Sequence, residues 1–522
     1  ELQICRETGR CAADEGGAAE EAPVGEETVD KESAEAPEEK LKEELQALMR
    51  SFSGNYLAAA RDFMEAGFYE EAIGILSLFE GSFPLADYYR GRIFRLMAER
   101  ECAEYFAVHG QEVFKNGGRE SGDGENRADR RDVFLGKALE CFRRAEKDAS
   151  DYCFPNKLED IAVLEDAMRM LPEECAKASY YLGCLFYDKL QYGRARQLWE
   201  KSESLCGNFP TVHRNLALAY YNKFDRKTDA KNEMEKAFAL DHSDARIFLE
   251  LDQLDRKLGM DLEKRLERMR SYPGLVKRRD DLLLEYITLL NSLGHYEEAL
   301  NEIMNHTFRP WEGGEGKVST QYKNALIQMA LRDKKAGDFR NAEEKLKRAL
   351  LYPENLGEGR LEGTKDNHIW FLLGCVQEKL GKTPEAKDSF EKAQLGVDEP
   401  AGAMYYYDQP ADMILFKGFA KQKSGRRREA CACFNKLMDY GQRHLRDQIG
   451  YDYFAVSMPD FLIFEQNLTQ KNTAHCWYLM GLSKLGFDDR EGAEHCFNKA
   501  LDYEYDHQNC LLYLEMIREG LI

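Results

Sequence analysis

Residues Trp370–Ala393 read WFLLGCVQEKLGKTPEAKDSFEKA. Apolar residues recur at helical spacing as far as Leu380, Gly381 interrupts them, and a second run follows. In that second run Ala386, Phe390 and Ala393 fall at i, i+4 and i+7, which is one face of a helix. A stripe of one large ring between two small side chains lets a neighbouring helix axis come close while the ring fills the gap. The spacing predicts two helices joined by a turn, with Gly381 in the left-handed conformation that ends the first.

The pattern recurs along the chain. Trp477-x2-Met480-Gly481 precedes Ala493-x3-Phe497-x2-Ala500, and Leu182-Gly183 precedes Ala195-x3-Trp199. Weaker copies are Leu216-Ala217-x2-Tyr220, Leu293-Gly294 with Ala299, Ala342-x3-Leu346-x2-Ala349 and Ala430-x3-Phe434-x2-Leu437. Near the start, Gly67 with Ala72-x3-Leu76 and Ala138-x3-Phe142-x2-Ala145 look alike. These segments resemble the tetratricopeptide repeat, a unit of about 34 residues built on W-x2-L-G-x2-Y and A-x3-F. One helix pair cannot bury its apolar face alone, so about nine pairs should stack side by side. The expected fold is all-α: a tetratricopeptide-like α-solenoid, a right-handed superhelix of antiparallel helix pairs with ordered loop insertions.

Composition agrees. Leu, Ala, Glu, Lys and Arg dominate, Pro numbers 13, and strand-favouring Val and Ile are scarce. The formal charge is −21. Residues 1–50 hold 15 acids and 6 bases, so −9 of it lies there. A duplex-binding surface needs clustered cations, so nucleic acid is not an expected partner. No apolar run reaches the length of a membrane span, so neither is a membrane. The 14 cysteines form no CxxC pair, and we read them as reduced thiols in a cytoplasm.

The repeats are unevenly spaced. Ala195 to Ala230 is 35 residues, Ala299 to Ala342 is 43, Ala386 to Ala430 is 44 and Ala430 to Ala493 is 63. Insertions of that size are usually functional or disordered. The expected division is an acidic flexible tail over 1–40, N-terminal repeats over 41–150 with a flexible insertion at 115–131, central repeats over 151–310, and C-terminal repeats with aromatic insertions over 311–522. Glu1–Arg6 alternates with period two, as the last strand of an upstream domain would. The chain begins at Glu1 rather than Met, as a piece of a longer polypeptide would.

Several segments invite chemistry. Arg309–Lys317, RPWEGGEGK, looks like a phosphate loop, but Trp311 stands where the first Gly is needed and Val318 where Ser or Thr is needed. It reads better as a rigid aromatic loop whose Trp311, Glu312 and Lys317 touch a ligand or another domain. Glu312 and Glu315 do not make a glycosidase pair, because nothing fixes their separation across a cleft. Tyr405–Pro410, with Tyr406, Asp408 and Gln409, and Asp452–Asp460, with Asp452 and Tyr453, are aromatic insertions with acidic ends, suited to sugar or peptide. His475-Cys476, His495-Cys496 and Cys431-x-Cys433 lack the further ligands a zinc site needs. No cofactor, metal or catalytic residue is expected.

The repeat register also marks an inner wall, lined by first-helix residues. These include Tyr180, Cys184 and Tyr187, then Arg214, Leu218 and Tyr221, then Phe371, Cys375 and Glu378. The Lys/Asn set with which relatives clamp C-terminal carboxylates is missing; Arg214 with Asn215 is a fragment of it. A more apolar, aromatic groove for a protein partner is expected.

A closer likeness lies in RPWEGGEGK at 309–317, YYDQPADMI at 406–414, DYFAVSMPD at 452–460, and the shorter FPNKLE at 154–159 and VLE at 163–165. These are similar to segments of large bacterial proteins in which a carbohydrate-related, aldose-epimerase-like β-sandwich of unknown function precedes tetratricopeptide repeats. The likeness spans about 150–520. It implies a non-catalytic interaction region that binds a protein partner or its own upstream domain. The alternative it leaves is a repeat region that completes a saccharide-binding or saccharide-processing site.

Overall fold

The computed structural model describes residues 32–109, 122–311, 313–402, 410–450 and 463–522. Twenty-four α-helices lie among the described residues, and no strand does. The chain divides into two compact units, residues 1–216 and 217–522.

The first unit holds α1 (Glu32–Met49), α2 (Ser53–Glu65), α3 (Tyr69–Ser77), α4 (Pro84–His109), α5 (Gly122–Lys147), α6 (Leu158–Met170), α7 (Ala176–Asp188) and α8 (Tyr192–Leu205). Next, α9 (Pro210–Phe224) spans the division. The second unit continues with α10 (Lys227–Leu240), α11 (Ala245–Lys257), α12 (Leu262–Arg270), the short α13 (Pro273–Val276), α14 (Asp280–Ser292) and α15 (Tyr296–Met304). It goes on through α16 (Lys317–Ala336), α17 (Phe339–Ala349), α18 (Asn367–Lys379) and α19 (Thr383–Lys392). It ends with α20 (Asp412–Lys423), α21 (Arg427–His444), α22 (Leu468–Gly486), α23 (Arg490–Tyr503) and α24 (Gln508–Arg518).

The stripes that predicted these helices point inward. Ala138, Phe142 and Ala145 are buried, as are Ala386, Phe390 and Ala393, and Ala493, Phe497 and Ala500. The partner of each ring is a glycine on the preceding helix. A Cβ built on Gly374 would lie 2.7 Å from Phe390, and one on Gly183 would lie 2.5 Å from the Trp199 indole. Gly91 with Phe142, Gly418 with Phe434 and Gly481 with Phe497 repeat the arrangement. The glycine is therefore a notch: absence of Cβ lets the ring sit against the facing backbone, and dispersion over that contact holds the pair.

The turn between paired helices takes a left-handed residue. The predicted glycines do so, with φ of 84° at Gly67, 80° at Gly294, 82° at Gly337, 73° at Gly381 and 77° at Gly425. Leu190, between α7 and α8, occupies the same place at φ 59° although it has a side chain. That conformation costs a non-glycine residue about 1–2 kcal/mol, and glycine gives back about 0.5–1 kcal/mol in chain entropy. Leu190 is exposed, so little packing is lost with it. Leu190→Gly is expected to stabilise the first unit by roughly 0.5–1 kcal/mol in thermal melts. A lower melt would contradict this reading of the turn.

Residues 32–40, placed in the flexible tail, begin α1, and residues 122–131, placed in the flexible insertion, begin α5. A helix already fixed downstream extends at one hydrogen bond per added residue. The alternating segment at 1–6 and most of the insertion up to residue 121 lie outside the described residues. The loops near residues 150 and 310, where composition changes, are tied to their neighbours. Asp160 accepts from the amides of Asn156 and Lys157 and from Tyr89, and Asp280 accepts from the Arg309 amide.

Candidate functional site: the inner wall of the repeats

In α7 the register puts Tyr180, Cys184 and Tyr187 on one face. All three are half-buried, while Tyr181, Leu182, Leu185 and Phe186 beside them are buried. Their spacing of three and four is the reason: the helix turns one row to the core and the next to the wall. Tyr180 packs on Phe209 at 4.8 Å, and Tyr187 on Trp199 at 5.3 Å and Tyr192 at 5.0 Å. Arg214 is half-buried and lies beside Asn215, whose Nδ2 reaches the Cys184 sulfur at 3.6 Å. Burial pushes the Cys184 thiol up to about 11, so it is a packed thiol rather than a nucleophile. Of the residues expected to line the inner wall, Tyr180 and Tyr187 thus lie on one face of α7, and Arg214 lies beside the Asn215 that reaches Cys184.

In the second unit Tyr221 meets Phe464 edge to face at 5.2 Å, and Asn222 donates to the Ile463 carbonyl while accepting from the Glu465 amide. Phe371 lies 5.5 Å from Phe419 and 5.8 Å from Phe416, starting a ladder of rings that continues from Phe419 to Phe434. The Trp311 indole lies over Gly314, whose Cβ it would exclude. The glycine-rich loop does receive an anion, but one of the chain's own: Glu358 accepts from the amides of Gly316 at 2.8 Å and Ser319 at 2.7 Å. A carboxylate is at home on the first amides of α16, where the helix dipole is positive. Lys317 is half-buried on the first turn of that helix. Glu312, Tyr406, Asp408, Gln409, Asp452 and Tyr453 lie outside the described residues.

Three residues, of which the sequence reading weighed only His475 and only as a metal ligand, occupy one repeat position. His368, Asp412 and His475 each stand six residues before the notch glycines Gly374, Gly418 and Gly481. Counting back from those glycines would have found them. Beside His368 lie Lys323, 3.4 Å from the buried Asp366, and Arg360, whose guanidinium holds the same carboxylate at 2.9 and 3.1 Å. Burial raises the Asp366 pKa, but Lys323, His368 and Arg360 outweigh it, so this carboxyl stays below its usual range. His368 is driven down to about 3 by burial and by Lys323, and its Nδ1 has no hydrogen-bond partner. Burial pushes the Asp412 carboxyl up to about 6, although its own backbone amide, Lys323 and the Tyr513 hydroxyl favour the ionised form. His475 is lowered to about 4 by burial, with Nε2 donating to the Ala401 carbonyl at 3.0 Å. Cys476 beside it is buried, with a thiol raised to about 11.

These groups make stability depend on pH. A carboxyl raised from about 3.8 to about 6 binds its proton more tightly in the fold, so it favours folding below pH 4 and that contribution is gone above pH 6. Asp412→Asn keeps the shape and removes the titration. The variant is expected to be more stable than the parent above pH 6 by about 1–3 kcal/mol, with the gain vanishing below about pH 4. Melting curves of both proteins across that window test this. A gain that persists at pH 4 would place the cause elsewhere.

A profile of the family described as Tetratricopeptide repeat matches residues 368–394, the stretch that begins at His368 and contains the Gly374–Phe390 notch. Among solved structures, YrrB, described as a TPR protein with an unusual peptide-binding site, aligns over 36% of this chain and 90% of its own, at 17% identity and a TM-score of 0.27. The TPR domain of P58(IPK) aligns over 90% of this chain and 98% of its own, at 12% identity and a TM-score of 0.22. A human IFIT1 dimer aligns over 88% and 93%, at 15% identity and a TM-score of 0.22. With its notched helix pairs in register, this chain is an all-α solenoid, and one stretch of it, residues 368–394, is similar to a tetratricopeptide repeat.

Proposed function

We propose that the chain is a non-catalytic scaffold that binds an extended segment of a protein partner along the wall of Tyr180, Tyr187 and Arg214. The observation that carries this reading is the row of half-exposed rings on α7, with Arg214 alongside, in a helix whose other faces are buried. Rings supply contact area at little entropic cost, and the guanidinium orients a carboxylate or carbonyl. The first partner to test is the polypeptide encoded immediately upstream, the carbohydrate-related domain that the family likeness implies. The thiols among the described residues are free and mostly buried, which fits a reducing compartment such as the cytoplasm.

Titration calorimetry of the chain with that upstream polypeptide is the test. Binding is expected in the parent. Tyr187→Ala and Arg214→Glu are each expected to weaken it at least about tenfold, with melting temperatures unchanged. No binding by the parent, or full binding by both variants, rejects this wall as the site.

A further inference from the structure

We draw no further inference here: the strongest candidate, the exposed apolar patch of Tyr152, Phe154 and Leu158 at the entrance to α6, carries nothing because nothing in the structure shows what covers it.

Discussion

Asp252→Ala is expected to lower the stability of the second unit by about 3–5 kcal/mol, the largest single effect we foresee from a charged residue. Asp252 on α11 and Arg265 on α12 are each 1% exposed. The guanidinium meets the carboxylate side on, with Nε to Oδ1 at 3.0 Å and Nη2 to Oδ2 at 2.7 Å. Glu285 and Asp506 stand 3.6 Å from the same guanidinium, and Tyr505 lies 3.3 Å from Nη1. Burial alone would depress the Arg265 pKa, but Asp252 and Glu285 hold it above its ordinary value. Removing Asp252 leaves a cation in the interior with only the longer contacts to Glu285, Asp506 and Tyr505, which offset less of its desolvation penalty. Denaturant titration of parent and variant measures the loss. A change under about 1 kcal/mol would mean that Glu285 and Asp506 suffice.

Phe434→Ala is expected to cost a similar amount, about 3–5 kcal/mol, for a different reason. The ring is fully buried against two backbones that lack side chains, at Gly418 and Gly486, and against Phe419 at 5.7 Å and Phe487 at 5.4 Å. Helices on both sides are held by their own turns and cannot close on the space. Transfer and cavity costs therefore both remain. Thermal melts give the direct reading. A loss near 1 kcal/mol would show that the repeat collapses around the gap.

The repeat was legible in the sequence because its cause is local. Ala386, Phe390 and Ala393 lie within eight residues, and the notch glycine Gly374 is one turn-linked helix away. The same register placed Tyr180, Cys184 and Tyr187 on one face of α7. His368 and Asp412 were reachable by that count, whereas His475 was weighed only as a metal ligand beside Cys476. Other features have no local signal. Glu358 fills the glycine-rich loop from 42 residues beyond Gly316, and nothing in RPWEGGEGK names it. Gln508 meets Thr288 across 220 residues of sequence, a closure set by the sum of small rotations between repeats.

The account rests on the glycine notch as the element that sets repeat spacing, and a double-mutant cycle at Gly418 and Phe434 tests it most directly. Gly418→Ala in the parent should cost about 1–3 kcal/mol, because the added methyl group meets the Phe434 ring. In the Phe434→Ala background the same change should cost under about 0.5 kcal/mol, because the space is empty. Two costs that simply add would contradict the notch, and with it the mechanism by which these helices stack.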